Sequence, residues 1–115
     1  MSNDGQHVDL AALQELKSVM EGEFGLLIDT FLNDSAQRIQ ALTGAIAAGN
    51  AEMVRATAHS FKGSASNLGA SNLTELCREL EDMGRAGVLS SAPSLFTSIK
   101  IEYDAVQNIL RRMMK

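Results

Sequence analysis

The sequence predicts an all-α protein: an antiparallel four-helix bundle with a short additional N-terminal helix. Three observations predict it. A single proline, Pro93, occurs in 115 residues, so little interrupts a helix by removing a backbone donor. Ala, Leu, Met, Gln and Glu, all good helix formers, are plentiful. Apolar residues also return at intervals of three and four along most of the chain.

The elements follow in order. The first helix runs from about Asp9, a plausible N-cap, to Met20, with Leu10, Leu13, Leu16 and Met20 on one broad face. The second runs from Glu23 to Ala48, carries Phe24, Leu27, Ile28, Phe31, Leu42 and Ile46 at helical spacing, and stops at Gly49. The third starts at Asn50 and ends at Leu68, before Gly69. The fourth starts at Ser71, where Thr74 stands in place of a capping-box Glu, and ends near Gly84–Gly87. The fifth starts around Pro93, a residue suited to a first helical turn. It continues through Leu95, Ile99, Val106, Leu110 and Met113 to the basic end Arg111, Arg112 and Lys115, which complements the helix dipole. Short connections make the four longer helices antiparallel neighbours. The whole of 1–115 reads as a single domain, with residues 1–8 as a mobile polar tail.

Composition narrows the function classes. Hydrophobic residues make up 45%, enough for a packed core, while aromatics are only 4%, so the core is expected to be aliphatic with the six methionines as filler. The net charge of −4 argues against a uniformly basic nucleic-acid binder. One cysteine, Cys77, allows no internal disulfide and no cysteine-rich metal site. Set among Leu73, Leu76 and Leu80, it reads as a small core residue. No apolar run is long enough to span a membrane, and the polar N-terminus lacks the features of a signal peptide. These features imply a cytoplasmic protein without nucleic-acid or membrane partners. A monomer is expected, because a bundle buries its own core.

The third helix carries the chemistry. On a wheel of about 100° per residue, Val54, Ala58, Phe61, Ala65 and Leu68 form the core stripe. His59 falls on the opposite side, with Arg55, Lys62, Gly63 and Ser66 on the same outer face. Gly inside a helix is unfavourable by about 1 kcal/mol relative to Ala, so Gly63 calls for a reason. One reading is an accessible nucleophilic imidazole with a cation one turn away and a cleared approach. The other is a plain surface histidine beside a solvated lysine, with Gly63 present for close helix packing. His7 reads as surface, and no ligand spacing joins His7 and His59 into a metal site.

The order Ala58-His59-Ser60-Phe61-Lys62-Gly63-Ser64-Ala65, followed by Leu68-Gly69-Ala70, Leu73, Leu76-Cys77 and Leu80-Glu81, resembles the histidine-containing phosphotransfer (HPt) domain. The matching stretch covers about Asn50 to Arg85. The resemblance implies a phosphocarrier in a multistep phosphorelay. Its His59 would accept a phosphoryl group from the aspartate of a receiver domain in a hybrid sensor histidine kinase. It would then pass the group to the receiver domain of a response regulator. The resemblance also implies that Lys62 is the electrostatic partner, that Gly63 admits the receiver, and that Glu81 on the next helix hydrogen-bonds the imidazole. Arg85 would contact the phosphoryl group or the receiver, and Arg55 and Ser66 on the same face are further candidates for partner binding. Mg²⁺ is expected on the receiver, so the chain itself needs no cofactor. No GxxxxGK[ST] loop is present, which makes the protein a carrier and not a kinase.

Charge placement agrees with docking through this face. Residues 1–45 hold seven acidic and two basic side chains, whereas Arg55, Lys62 and Arg85 make the surroundings of His59 positive, a match for an acidic receiver pocket. Ala56 and Leu32 are candidates for the apolar fringe of that surface. The competing reading is a helical module that binds a receiver or kinase without being phosphorylated. The phosphoacceptor region of a sensor kinase fits less well, because Ser60 follows His59 and no proline is near.

Overall fold

The computed structural model describes residues 4–114. Those residues form six helices: α1 (Asp4–His7), α2 (Leu10–Met20), α3 (Glu23–Ala47), α4 (Ala51–Asn67), α5 (Ser71–Ala86) and α6 (Ala92–Met113). Helices α3 to α6 make the bundle: each packs on the next, and α6 closes on α3. No helix is long and apolar enough to cross a membrane among the described residues.

The boundaries follow from local chemistry. Asp9 caps α2 by accepting from the Ala12 amide at 3.0 Å, and Asn50 caps α4 by accepting from the Met53 amide at 3.1 Å. Gly49, Gly69 and Gly87 take positive φ angles of 66°, 68° and 72° and end the helices before them, as left-handed C-terminal residues do. Gly84 is not one of these stops. Helix α5 runs through it to Ala86.

Two expectations need correction. The core is not purely aliphatic: Phe24, Phe31, Phe61, Phe96 and Tyr103 are all buried. Tyr103 lies 6.0 Å from Phe61 and 6.3 Å from Phe31, ring centre to ring centre, and its hydroxyl donates to the Leu32 carbonyl at 3.4 Å. Few aromatics are present, but they are spent inside. The described methionines stay at the edge of the core or in solvent. Cys77 does sit in the core, where burial pushes its thiol up to about 12.

The N-terminal stretch also departs from expectation. Residues 1–3 and Lys115 lie outside the described residues. Residues 4–8, expected as a tail, are docked: α1 is one short helix and Val8 is only 2% exposed. His7 Nδ1 lies 2.7 Å from Glu102 Oε2, and Arg112 pairs with Asp4 at 2.9 Å. The Asp9 amide donates to the Gly69 carbonyl at 3.0 Å, which ties this end to the α4–α5 turn. Such docking rests on contacts with residues distant in sequence, so local patterning carries no trace of it.

Candidate functional site

Helix α4 buries the stripe Val54, Ala58, Phe61 and Ala65, each fully inside. The opposite face therefore carries His59 outward, with its side chain 61% exposed. Helix α5 lies alongside and turns Leu73, Cys77, Leu80 and Glu81 inward. Glu81 is the unusual member of that set, a carboxylate with a side chain only 3% exposed. A buried carboxylate is costly unless charged partners and hydrogen bonds compensate it.

It has such partners. Oε2 accepts from His59 Nδ1 at 2.9 Å and from Arg85 Nη2 at 2.9 Å. Oε1 pairs with Lys62 Nζ at 2.7 Å. Lys62 most of all, with His59 adding to it, pulls the Glu81 carboxyl down to about 2, against the upward push of desolvation. Glu81 is thus an anion at any ordinary pH. A carboxylate can only accept hydrogen bonds, so the proton in this pair belongs to His59 Nδ1. In the neutral ring the other nitrogen, Nε2, then keeps its lone pair. The arrangement holds an imidazole in one tautomer and leaves its nucleophilic nitrogen at an exposed position.

The remaining sequence candidates fall into place around this core. Gly63 is exposed, and a Cβ built on it would meet nothing within 4 Å. Close helix packing therefore does not account for Gly63. Arg85 also pairs with Asp82 at 3.0 Å, and Asp82 with Arg78 at 2.8 Å, so a ladder of ion pairs runs along α5. Arg55, one turn before His59, pairs with Glu52 at 2.7 Å. Ser66 is exposed two turns beyond His59, roughly 10 Å along the axis, and lines a hollow with Gly69 and Thr74. The positive surroundings expected from the sequence are thus modified: Arg55, Lys62 and Arg85 are each held by a carboxylate. Counting charges along a chain cannot show which of them are already paired.

A groove of about 410 Å³, unmarked by any motif, lies between α3 and α4. Asp34, Arg38 and Ala41 line one wall, and Ala56, Thr57 and Ser60 the other. Arg38 Nη1 donates to Ser64 Oγ at 2.9 Å and joins the two helices nearby. Ala56, a candidate for the apolar fringe, lies in this groove, whereas Leu32 is half-buried outside its lining. No group of three or more His, Cys, Asp or Glu side chains suited to holding a metal ion occurs among the described residues.

Comparison with known proteins gives a consistent result. The Hpt domain family matches residues 26–109. The chain is similar to the crystal structure of histidine-containing phosphotransfer protein B (HptB) from Pseudomonas aeruginosa PAO1. The TM-score is 0.88 and the identity 42%, with 93% of this chain and 93% of that one covered. No curated protein matches the chain.

Proposed function

The chain belongs to the Hpt domain family, a family of histidine phosphocarriers in phosphorelays, and from that premise we propose that Nε2 of His59 is the phosphoryl acceptor. The donor is the phospho-aspartate of a receiver domain in a hybrid sensor kinase. The onward acceptor is the aspartate of a response-regulator receiver. The observation that carries this reading is the ionised Glu81 carboxylate accepting from Nδ1 at 2.9 Å, on a ring whose side chain is 61% exposed, which leaves Nε2 with its lone pair.

The step is an in-line displacement. The Nε2 lone pair forms a bond to phosphorus as the bond from phosphorus to the aspartyl oxygen breaks, and the aspartate leaves with that electron pair. The Nδ1 proton stays where it is, so positive charge grows on the ring as the bond forms. Glu81, already oriented and desolvated, stabilises that charge without reorganising. Lys62 lies one turn from His59 with a side chain 30% exposed, placed to neutralise the phosphoryl oxygens. Gly63 leaves room for the receiver's backbone. Arg85, Arg55 and Ser66 surround this centre and serve the docked partner. The receiver supplies the acidic pocket and Mg²⁺. Onward transfer is the same displacement in reverse.

On this reading the protein is a single-domain, monomeric, cytoplasmic carrier with no kinase activity of its own. The similarity to a protein described as a histidine-containing phosphotransfer protein supports the carrier role. The test is transfer from a receiver charged with labelled acetyl phosphate and Mg²⁺. The wild type should take up an acid-labile, base-stable label that His59→Gln does not. A folded wild type that stays unlabelled across a panel of receivers would favour a binding-only module instead.

A further inference from the structure

We infer that Gly84 is a positioning residue for the chemistry at His59: its missing side chain sets the distance between α4 and α5 at which Glu81 reaches the imidazole. The inference rests on the phosphocarrier reading given above.

A Cβ built on Gly84 would lie 2.6 Å from the Arg55 backbone nitrogen, 2.8 Å from the Ala51 carbonyl oxygen and 2.9 Å from the Arg55 Cα. These are backbone atoms of α4, and no side chain can swing aside to relieve them. Gly25, Gly44 and Gly63, the other glycines inside long helices, would meet nothing within 4 Å. Gly84 is therefore the one place among these where a helix approaches its neighbour backbone to backbone.

That contact lies next to the site. Residues three and four apart stack on one face of a helix. Gly84 is three residues after Glu81 on α5, and Arg55 is four residues before His59 on α4. The glycine contact and the His59–Glu81 hydrogen bond are thus neighbouring rungs of one seam. The 2.6 Å approach falls 0.8 Å short of the 3.4 Å at which ordinary contact begins. An alanine here must push the two helices apart by much of that amount.

Glu81 would not follow α4. Its partners divide between the helices: His59 and Lys62 stand on α4, while Arg85 shares α5 with it. Separation draws the carboxylate away from the first two and leaves it with Arg85. His59 Nδ1 then loses its acceptor, and the ring is free to exchange tautomers and rotate.

The experiment compares the wild type, Gly84→Ala and the control Gly44→Ala by two readings. One is heteronuclear NMR of the imidazole nitrogens of His59, which reports the tautomer. The other is the rate of phosphotransfer from a charged receiver. Gly84→Ala is expected to lose the fixed Nδ1–H form and to transfer about tenfold more slowly or worse, as misplacement of a reacting group does. Gly44→Ala should match the wild type in both. A Gly84→Ala protein with wild-type imidazole shifts and wild-type transfer overturns the inference and leaves the phosphocarrier reading standing. If the wild type itself takes no phosphoryl group, that reading fails, and the imidazole shifts alone decide the role of Gly84. Should the variant be unfolded in buffer, the shifts are read in trimethylamine N-oxide, which favours the folded state. A variant that stays unfolded there also overturns the inference, since the glycine would then serve the fold and not the site.

Discussion

Gly63 and Gly84 stand on neighbouring helices, each within about a turn of a residue in the His59–Glu81 pair, and they are small for opposite reasons. A methyl group on Gly63 would meet nothing within 4 Å, whereas one on Gly84 would lie 2.6 Å from the Arg55 nitrogen. Both positions carry the same conformational cost of a helix-interior glycine. At the first, on the proposed phosphocarrier reading, that cost keeps the outer face of α4 clear for a receiver. At the second, it lets two backbones meet inside the molecule. On the proposed reading the same residue type serves access on one side of His59 and alignment on the other. Only the surrounding atoms tell the two uses apart.

The largest effect should come from filling the open side. Gly63→Leu is expected to keep the fold and to slow transfer from a receiver by about a hundredfold through misplacement of the partner. Labelling by a small phosphoramidate donor should change little. Equal losses with both donors would mean that Gly63 shapes the imidazole and not the approach.

A smaller loss is expected on the aligned side. Lys62→Ala removes the group that does most to lower the Glu81 carboxyl. Transfer should fall by about tenfold or somewhat more, as when one charge-stabilising donor is removed. The Glu81 carboxyl should also titrate above its present value of about 2, which carboxylate NMR would read. An unchanged titration would remove Lys62 from the seam.

The same carboxylate gives a pH dependence of stability. Its pKa is lowered on folding from 4.5 to about 2, so between those values the unfolded chain binds more protons than the folded one. Stability then rises with pH across that window. The contribution is complete above pH 4.5 and is lost as pH falls toward about 2. Denaturant melts of Glu81→Gln should show a flatter acid limb than the wild type. Identical limbs would mean that Glu81 is not held as an anion by the fold.

The mildest change sharpens the comparison most simply. Gly63→Ala should stabilise the fold by about 1 kcal/mol through helix propensity, seen as a Tm higher by a few degrees. Gly84→Ala should show no such gain. If the two substitutions moved Tm alike, the contrast between the glycines would fail.

Much of this was legible in the residues alone. The starts of α2 and α4 follow caps, and the ends of α3, α4 and α5 follow glycine stops, that the sequence displays, and the core stripe of α4 lies where its periodicity puts it. The outward placement of His59 follows from that stripe. Gly84 reads with Gly87 as the end of a helix, because a glycine near a helix end looks like a stop and its neighbour across the seam is remote in sequence. Burial of Glu81 was likewise invisible to charge counting; its role came through the resemblance to a family. The docking of α1 depends on Val8, His7 and Asp4 meeting α5 and α6, and a four-residue helix has too little pattern to announce itself.

On the proposed reading the buried anion Glu81 holds the proton on Nδ1 and so makes Nε2 of His59 the nucleophile. The most direct test is to phosphorylate the protein from a receiver and ask by phosphorus–nitrogen NMR which ring nitrogen bears the group. A single phosphoryl group on His59 Nε2, with Nδ1 still protonated, is the predicted result. A phosphoryl group on Nδ1, or on any residue other than His59, would contradict it.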